Sequence, residues 1–188
     1  MDLIQRRGEL LKFLTESAYR QGDFKLASGK KSNHYVNCKP VSLNSNGLSL
    51  ISYLLLNKVE SGVHVVAGLT LGADPLVSGV IMAAHEQGLK MDGLIVRKAT
   101  KGYGTNSRIE GPSIPKGTLV TVLEDVVTTG GSSSQVVDEL RRKGFIVNTV
   151  LCIVDREEGG KELFQKSKIN LISLFSIKEL IASYGNVN

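Results

Sequence analysis

The sequence predicts an α/β protein, a parallel sheet with helices on both faces, preceded by a small hairpin-like lobe. Two observations carry that expectation. Residues 63–69, 93–96, 118–123, 145–154 and 170–175 are short, almost wholly apolar runs, as strands buried on both faces should be. Between most of them lie segments whose apolar residues recur at helical spacing, framed by capping signals. The 188 residues, 41% hydrophobic and 22% charged with a mean hydropathy of +0.02, suit one globular domain spanning 1–188. No repeat, low-complexity tract or linker divides the chain.

The elements follow in order. Leu3, Leu10, Leu11, Leu14 and Ala18 predict an opening helix, with Gly22 as its stop. FKLASGKKSNHYVNCK (24–39) is two extended runs around a Ser-Gly turn, a hairpin. A helix over about 46–58 presents Leu48, Ile51 and Leu55 on one face. After the first apolar run, Asp74 and Pro75 supply a cap and first turn for a helix carrying Leu76, Val77, Val80, Ile81 and Ala84, ended by Gly88. Residues 132–143 form a helix with Val136, Val137 and Leu140 inward, Arg141, Arg142 and Lys143 in its last turn, and Gly144 beyond. A short helix, IKELIASYG, follows the last strand.

Composition excludes several classes of function. No apolar stretch reaches about 18 residues, so no membrane span is expected. The first residues mix Asp2, Arg6, Arg7 and Glu9 with apolar ones and lack a signal-peptide core. Cys38 and Cys152 stand far apart in no metal or redox spacing, which suits a reducing, cytoplasmic setting. A net charge of +5 fits an anionic ligand but is weak support for nucleic acid, and no nucleic-acid partner is expected.

In open parallel sheets, ligands sit beyond the carboxyl ends of the strands, and here the unusual residues fall just after strands. In VTVLEDVVTTGGSSS (120–134) an apolar strand meets two carboxylates, Glu124 and Asp125, then Val126 and Val127. The small-residue loop Thr128, Thr129, Gly130, Gly131, Ser132 opens a helix. Glycines let backbone N–H groups turn toward a bound group, hydroxyls add donors, and the helix N-terminus adds positive potential, which together suit a phosphate. The loop lacks the lysine of a nucleotide-hydrolysing P-loop. Two acids on the approach can accept hydrogen bonds from vicinal hydroxyls. One phosphate plus two hydroxyls describes a ribose 5-phosphate. A second segment, VRKATKGYGTNSRIEGP (96–112), gathers Arg97, Lys98, Lys101 and Arg108 into a basic loop able to close over a polyanion; taken alone, it could equally be a solvated hairpin.

LEDVVTTGGS resembles the phosphoribosyl-pyrophosphate signature of the type I phosphoribosyltransferases. The resemblance implies a five-stranded parallel sheet under a small hood (here about 1–40), binding the activated ribose with Mg2+. RK-x-x-K-x-x-G-T at 97–105 resembles the catalytic loop of the orotate phosphoribosyltransferases, which implies a homodimer whose loop 97–112 reaches the neighbouring site. Lys101 is the catalytic residue so implied. FKLASGKKSNHYVN (24–37) is similar to that family's hood motif and makes Tyr35 a residue near the base or its sugar phosphate. Arg156 in VDREEGG matches the family's base-recognising arginine, whose planar guanidinium suits the orotate carboxylate. GLTLGADP (68–75), with Thr70 and Gly72, matches a form the family uses to hold pyrophosphate through backbone amides.

The activity so implied joins orotate to phosphoribosyl pyrophosphate, a step of pyrimidine (UMP) synthesis, with Asp125 counted beside Lys101 as catalytic. One departure stands out. Many members carry histidine where this chain has Tyr103, and tyrosine ionises only near pH 10, so the residue donates a hydrogen bond but not a readily lost charge. That replacement leaves open a regulator that binds phosphoribosyl pyrophosphate, or an enzyme for another base.

Overall fold

The computed structural model describes residues 1–25, 31–98 and 108–185. Helix α1 (Leu3–Ser17) starts in a capping box: Asp2 Oδ1 accepts the Gln5 N–H at 2.8 Å, and the Gln5 side chain accepts the Asp2 N–H at 3.2 Å. The helix ends before Gly22, which instead lies inside strand β1 (Tyr19–Lys25). Tyr19 explains the early stop. It is fully buried, with an edge-on contact to Tyr184, and the residues after it pair with strand β2 (Lys31–Val36). Gly22 sits where the antiparallel register shifts between Gln21 and Phe24.

A short helix α2 (Lys39–Ser42) leads to α3 (Ser45–Leu56), whose first turn is capped by the Asn44 side chain. Strand β3 (Val65–Leu69) is followed by α4 (Asp74–Glu86) and β4 (Asp92–Val96). Asp74 is not the cap of α4. Ala73 takes that position, buried and tucked against Gly68 of β3, so Asp74 falls within the first turn and makes no capping bond.

Strand β5 (Ile109–Glu110) is a two-residue antiparallel addition at the edge. Strand β6 (Val120–Val127) feeds α5 (Gly131–Arg142), and β7 (Thr149–Asp155) feeds α6 (Gly160–Lys166). Strand β8 (Asn170–Ser176) and α7 (Ile177–Gly185) complete the described chain. The run expected as one strand over 145–154 is regular only from Thr149. Ile146 makes a single bridge to Leu119 and is half exposed, so its end of the run is not sandwiched.

The sheet order is β5–β4–β3–β6–β7–β8, with the five expected strands all parallel. Alternate side chains enter two cores, as the period of a strand requires. Val66, Leu123, Leu151 and Ile153 join Leu10, Leu14, Leu50, Leu55, Leu76 and Leu180 on the face covered by α1, α3, α4 and α7. Val65, Ala67, Val122, Val150 and Cys152 join Val136, Val137, Leu140 and Phe164 under α5 and α6. From β3 the chain crosses to β4, then returns to place β6 on the other side of β3. The order therefore reverses between β3 and β6, and a crevice opens at their carboxyl ends.

Candidate active site

That crevice is a cleft of about 400 Å³ between Lys39, the Leu69–Gly72 turn, Lys98, Glu124–Val126 and Ser132. The β3 turn contains a cis peptide between Thr70 and Leu71. Gly72 lies so close to β6 that an added Cβ would stand 2.8 Å from Asp125 Oδ1, so only glycine leaves that carboxylate where it is.

The two acids are adjacent in sequence but differ in surroundings. Glu124 is 7% exposed, and Ser133 Oγ donates to its Oε2 at 2.7 Å. Burial, reinforced by the Asp125 charge and opposed by the Ser133 hydrogen bond, pushes its pKa up to about 8. Asp125 faces the cleft: its Oδ1 accepts the Val126 N–H at 3.0 Å, and its Oδ2 lies 3.4 Å from Lys39 Nζ.

Beyond Val127 the loop turns on Gly130, whose φ of +82° only glycine adopts readily, and α5 starts without any side-chain cap. The first N–H groups of a helix have no partner within it. An uncapped twelve-residue helix therefore presents donors and positive potential to an anion beside Ser132. Thr129, Gly131 and Ser132 are exposed, and Thr128 is half-buried.

No protein-family model matches the chain. The orotate phosphoribosyltransferase of Thermosynechococcus vestitus is 51% identical over 180 residues, covering 96% of this chain and 95% of that protein. The chain belongs to the orotate phosphoribosyltransferase family. The crystal structure of the orotate phosphoribosyltransferase of Mycobacterium tuberculosis superposes with a TM-score of 0.81 at 31% identity, covering 93% of this chain and 98% of that one. The same Mycobacterium protein in complex with 5-phospho-alpha-D-ribosyl 1-diphosphate gives a TM-score of 0.77 at 29% identity over 93% and 98% of the two chains. As an orotate phosphoribosyltransferase the chain is a pentosyltransferase of pyrimidine biosynthesis, and the regulator and other-base alternatives are not favoured.

The structure brings together Thr70, Gly72, Lys98, Glu124, Asp125, Val126 and Ser132 at one cleft, with Val127 to Gly131 continuing from β6 into α5. Arg97 Nη1 donates to Glu110 Oε1 at 3.1 Å, while Arg108 bonds the Arg97 and Lys98 carbonyls, so these groups tie the two stems of the 97–112 segment. Tyr35 is half-exposed and stacks on Phe24 with ring centroids 5.3 Å apart. Arg156, at the carboxyl end of β7, is buried, and its Nη2 bonds Ser32 and the His34 carbonyl of the hairpin. Lys101 and Tyr103 lie outside the described residues.

Sequence reasoning missed Lys39, Ser133 and Glu158. Lys39 precedes a proline just beyond the hairpin, and nothing local announces that it reaches Asp125. Ser133 was legible only as one more small residue of the loop. Glu158, whose Oε1 lies 2.7 Å from Arg156 Nη2, stood in a turn that reads as charged surface.

Proposed function

We propose that this chain transfers the phosphoribosyl group of phosphoribosyl pyrophosphate to orotate, giving orotidine 5′-monophosphate and pyrophosphate. The carrying observation is the cleft at the β3/β6 reversal, where paired acids meet an uncapped helix N-terminus under two lysines. The donor complex of the Mycobacterium relative supports the same assignment.

The 5′-phosphate sits on the 128–132 loop and the α5 N-terminus. Glu124 and Asp125 take the ribose hydroxyls, and a neutral Glu124 can donate a hydrogen bond as well as accept one. The Thr70–Gly72 turn and Lys98 face the pyrophosphate end, and Lys39 adds a second cation beside Asp125. The bond from the anomeric carbon to a pyrophosphate oxygen breaks with oxocarbenium character, as in glycoside hydrolysis, and a bond to the orotate ring nitrogen forms. That nitrogen's proton leaves to solvent. Asp125 holds the ribose in line and need not act as a base. Lys101 meets the charge growing on the leaving group, and closure of its loop keeps water from the cation. Arg156 pairs with the orotate carboxylate, and Tyr35 lies near the base.

The site suits Mg2+, which keeps waters and binds through one or two carboxylates plus substrate phosphates. Among the described residues no group of three His, Cys, Asp or Glu could hold a metal unaided, whereas Asp125 beside Glu124 suits an ion carried in by the donor's oxygens. When bound, Mg2+ supplies neutralisation of charge on the departing pyrophosphate. The protein acts as a homodimer, segment 97–112 reaching the neighbouring site, in the cytoplasm. Two buried free thiols fit a reducing compartment, and among the described residues no helix is long and apolar enough to cross a membrane.

The test is a panel of acceptors. Purified protein with Mg2+ and phosphoribosyl pyrophosphate is offered orotate, uracil, hypoxanthine and adenine separately. Pyrophosphate release with orotate alone is expected; release with a purine instead refutes the assignment.

A further inference from the structure

The side chain of Arg156 is 4% exposed, and a cation so buried must be paired. Two of its partners, Ser32 Oγ at 3.0 Å and the His34 carbonyl at 3.2 Å, are neutral groups of the hairpin that hold it in place without balancing its charge. The balance comes from Glu158, whose Oε1 lies 2.7 Å from Nη2. Nε, meanwhile, is buried with no hydrogen-bond partner. Donors of the guanidinium beyond Nη2 are thus left over, as they would be if the fork were built for a carboxylate other than the one now present.

Glu158 is placed to leave. Its side chain is 31% exposed, and it stands in the irregular turn between β7 and α6, flanked by Glu157 (φ +56°) and Gly159 (φ +100°). Its neighbour Glu157 is tied instead to Lys178 at 3.1 Å. Nothing in regular structure anchors Glu158 itself.

We propose that Glu158 is a resident counter-ion, a positioning residue that holds Arg156 in the empty enzyme and is displaced when a substrate carboxylate arrives. The exchange conserves charge at the buried guanidinium: one carboxylate leaves for solvent as another enters. A ligand without a carboxylate cannot drive it, because displacement would leave the cation unpaired. Selectivity for an acidic pyrimidine then comes from this exchange as well as from the fit of the pocket. The proposal rests on the reading that Arg156 meets the orotate carboxylate.

The test compares two ligands that share the ribose phosphate and differ in the carboxylate, orotidine 5′-monophosphate and uridine 5′-monophosphate, by calorimetric titration of the full chain. With Glu158→Gln, folded by thermal melt, the competing charge is gone. Orotidine monophosphate should bind about three- to tenfold more tightly, and uridine monophosphate within about twofold of the parent. Glu158→Ala should repeat that pattern, orotidine monophosphate tightening and uridine monophosphate nearly unchanged, and serves if the amide variant does not fold. Unchanged or weaker orotidine monophosphate binding, or an equal shift in both ligands, overturns the proposal. Arg156→Gln separates the layers. If it leaves the preference for orotidine over uridine monophosphate intact, Arg156 does not read the carboxylate and both ideas fall. If it abolishes that preference while the Glu158 variants do not tighten binding, the exchange alone is wrong.

Discussion

Glu124 and Asp125 both line the cleft, but their different surroundings decide their chemistry. Asp125 is the more open of the two and reaches Lys39, whereas Glu124 is buried against Ser133 and loses its hydration. A carboxyl whose pKa is raised by burial binds a proton in the folded chain that the unfolded chain has already released. For Glu124 this holds between its ordinary value of 4.5 and about 8. Its contribution to stability is therefore complete below the lower value and is lost as pH rises through the upper one. The thermal midpoint of the ligand-free protein should fall across that interval, and Glu124→Gln, which carries no charge to bury, should flatten the fall. Melting curves from about pH 5 to about pH 9 check this, and an unaltered slope in the variant would show that Glu124 is not the group concerned.

The loop proposed to hold the phosphate rests on an element that carries none of its chemistry. Phe164 of α6 is fully buried beneath it, with Cε2 3.0 Å from where a side chain on Gly130 would begin. An added Cβ at Gly160 would meet Val127 Cγ1 at 2.5 Å, so the start of α6 is pressed against the end of β6. Phe164→Ala should cost about 3–5 kcal/mol of folding stability in urea denaturation. It should also raise KM for phosphoribosyl pyrophosphate more than KM for orotate, because the cavity opens under the loop; equal rises would mean that the loop does not lean on α6. The same helix marks the limit of sequence reading. The parallel strands were legible because burial on both faces leaves uninterrupted apolar runs, and the loop because glycine, hydroxyl and acid types cluster within ten residues. Helix α6 offers only Phe164 to the core within a charged stretch, and β5 is two residues long, too short for any period to register. Lys39 meets Asp125 across 86 positions, a pairing fixed by how the hairpin lobe lies on the sheet and by nothing near Lys39 in the chain.

At the scale of the molecule, the reversal between β3 and β6 gathers the donors and acids proposed to take the sugar phosphate, and Arg156 follows the neighbouring strand β7, its N–H bonded to the Val127 carbonyl at 2.8 Å. The segment proposed to complete the site, which contains Lys101, is bounded by stems clasped by Arg97, Glu110 and Arg108 at the edge where β4 and β5 pair. In the dimer proposed above, this loop serves a second copy of the chain. Such sharing has a countable consequence. A Lys101→Ala chain supplies a sound cleft and a faulty loop, while an Asp125→Asn chain supplies the reverse. In a mixed dimer one site collects both faults and the other collects neither. Random exchange of equal amounts makes half the dimers mixed, so the mixture should recover about a quarter of the parent activity although each variant alone is nearly inactive. If each loop served its own cleft, every site would carry one fault and mixing would recover nothing. Steady-state assay of the two variants, mixed and re-equilibrated with dimer exchange verified by mass, distinguishes a loop that crosses from one that stays.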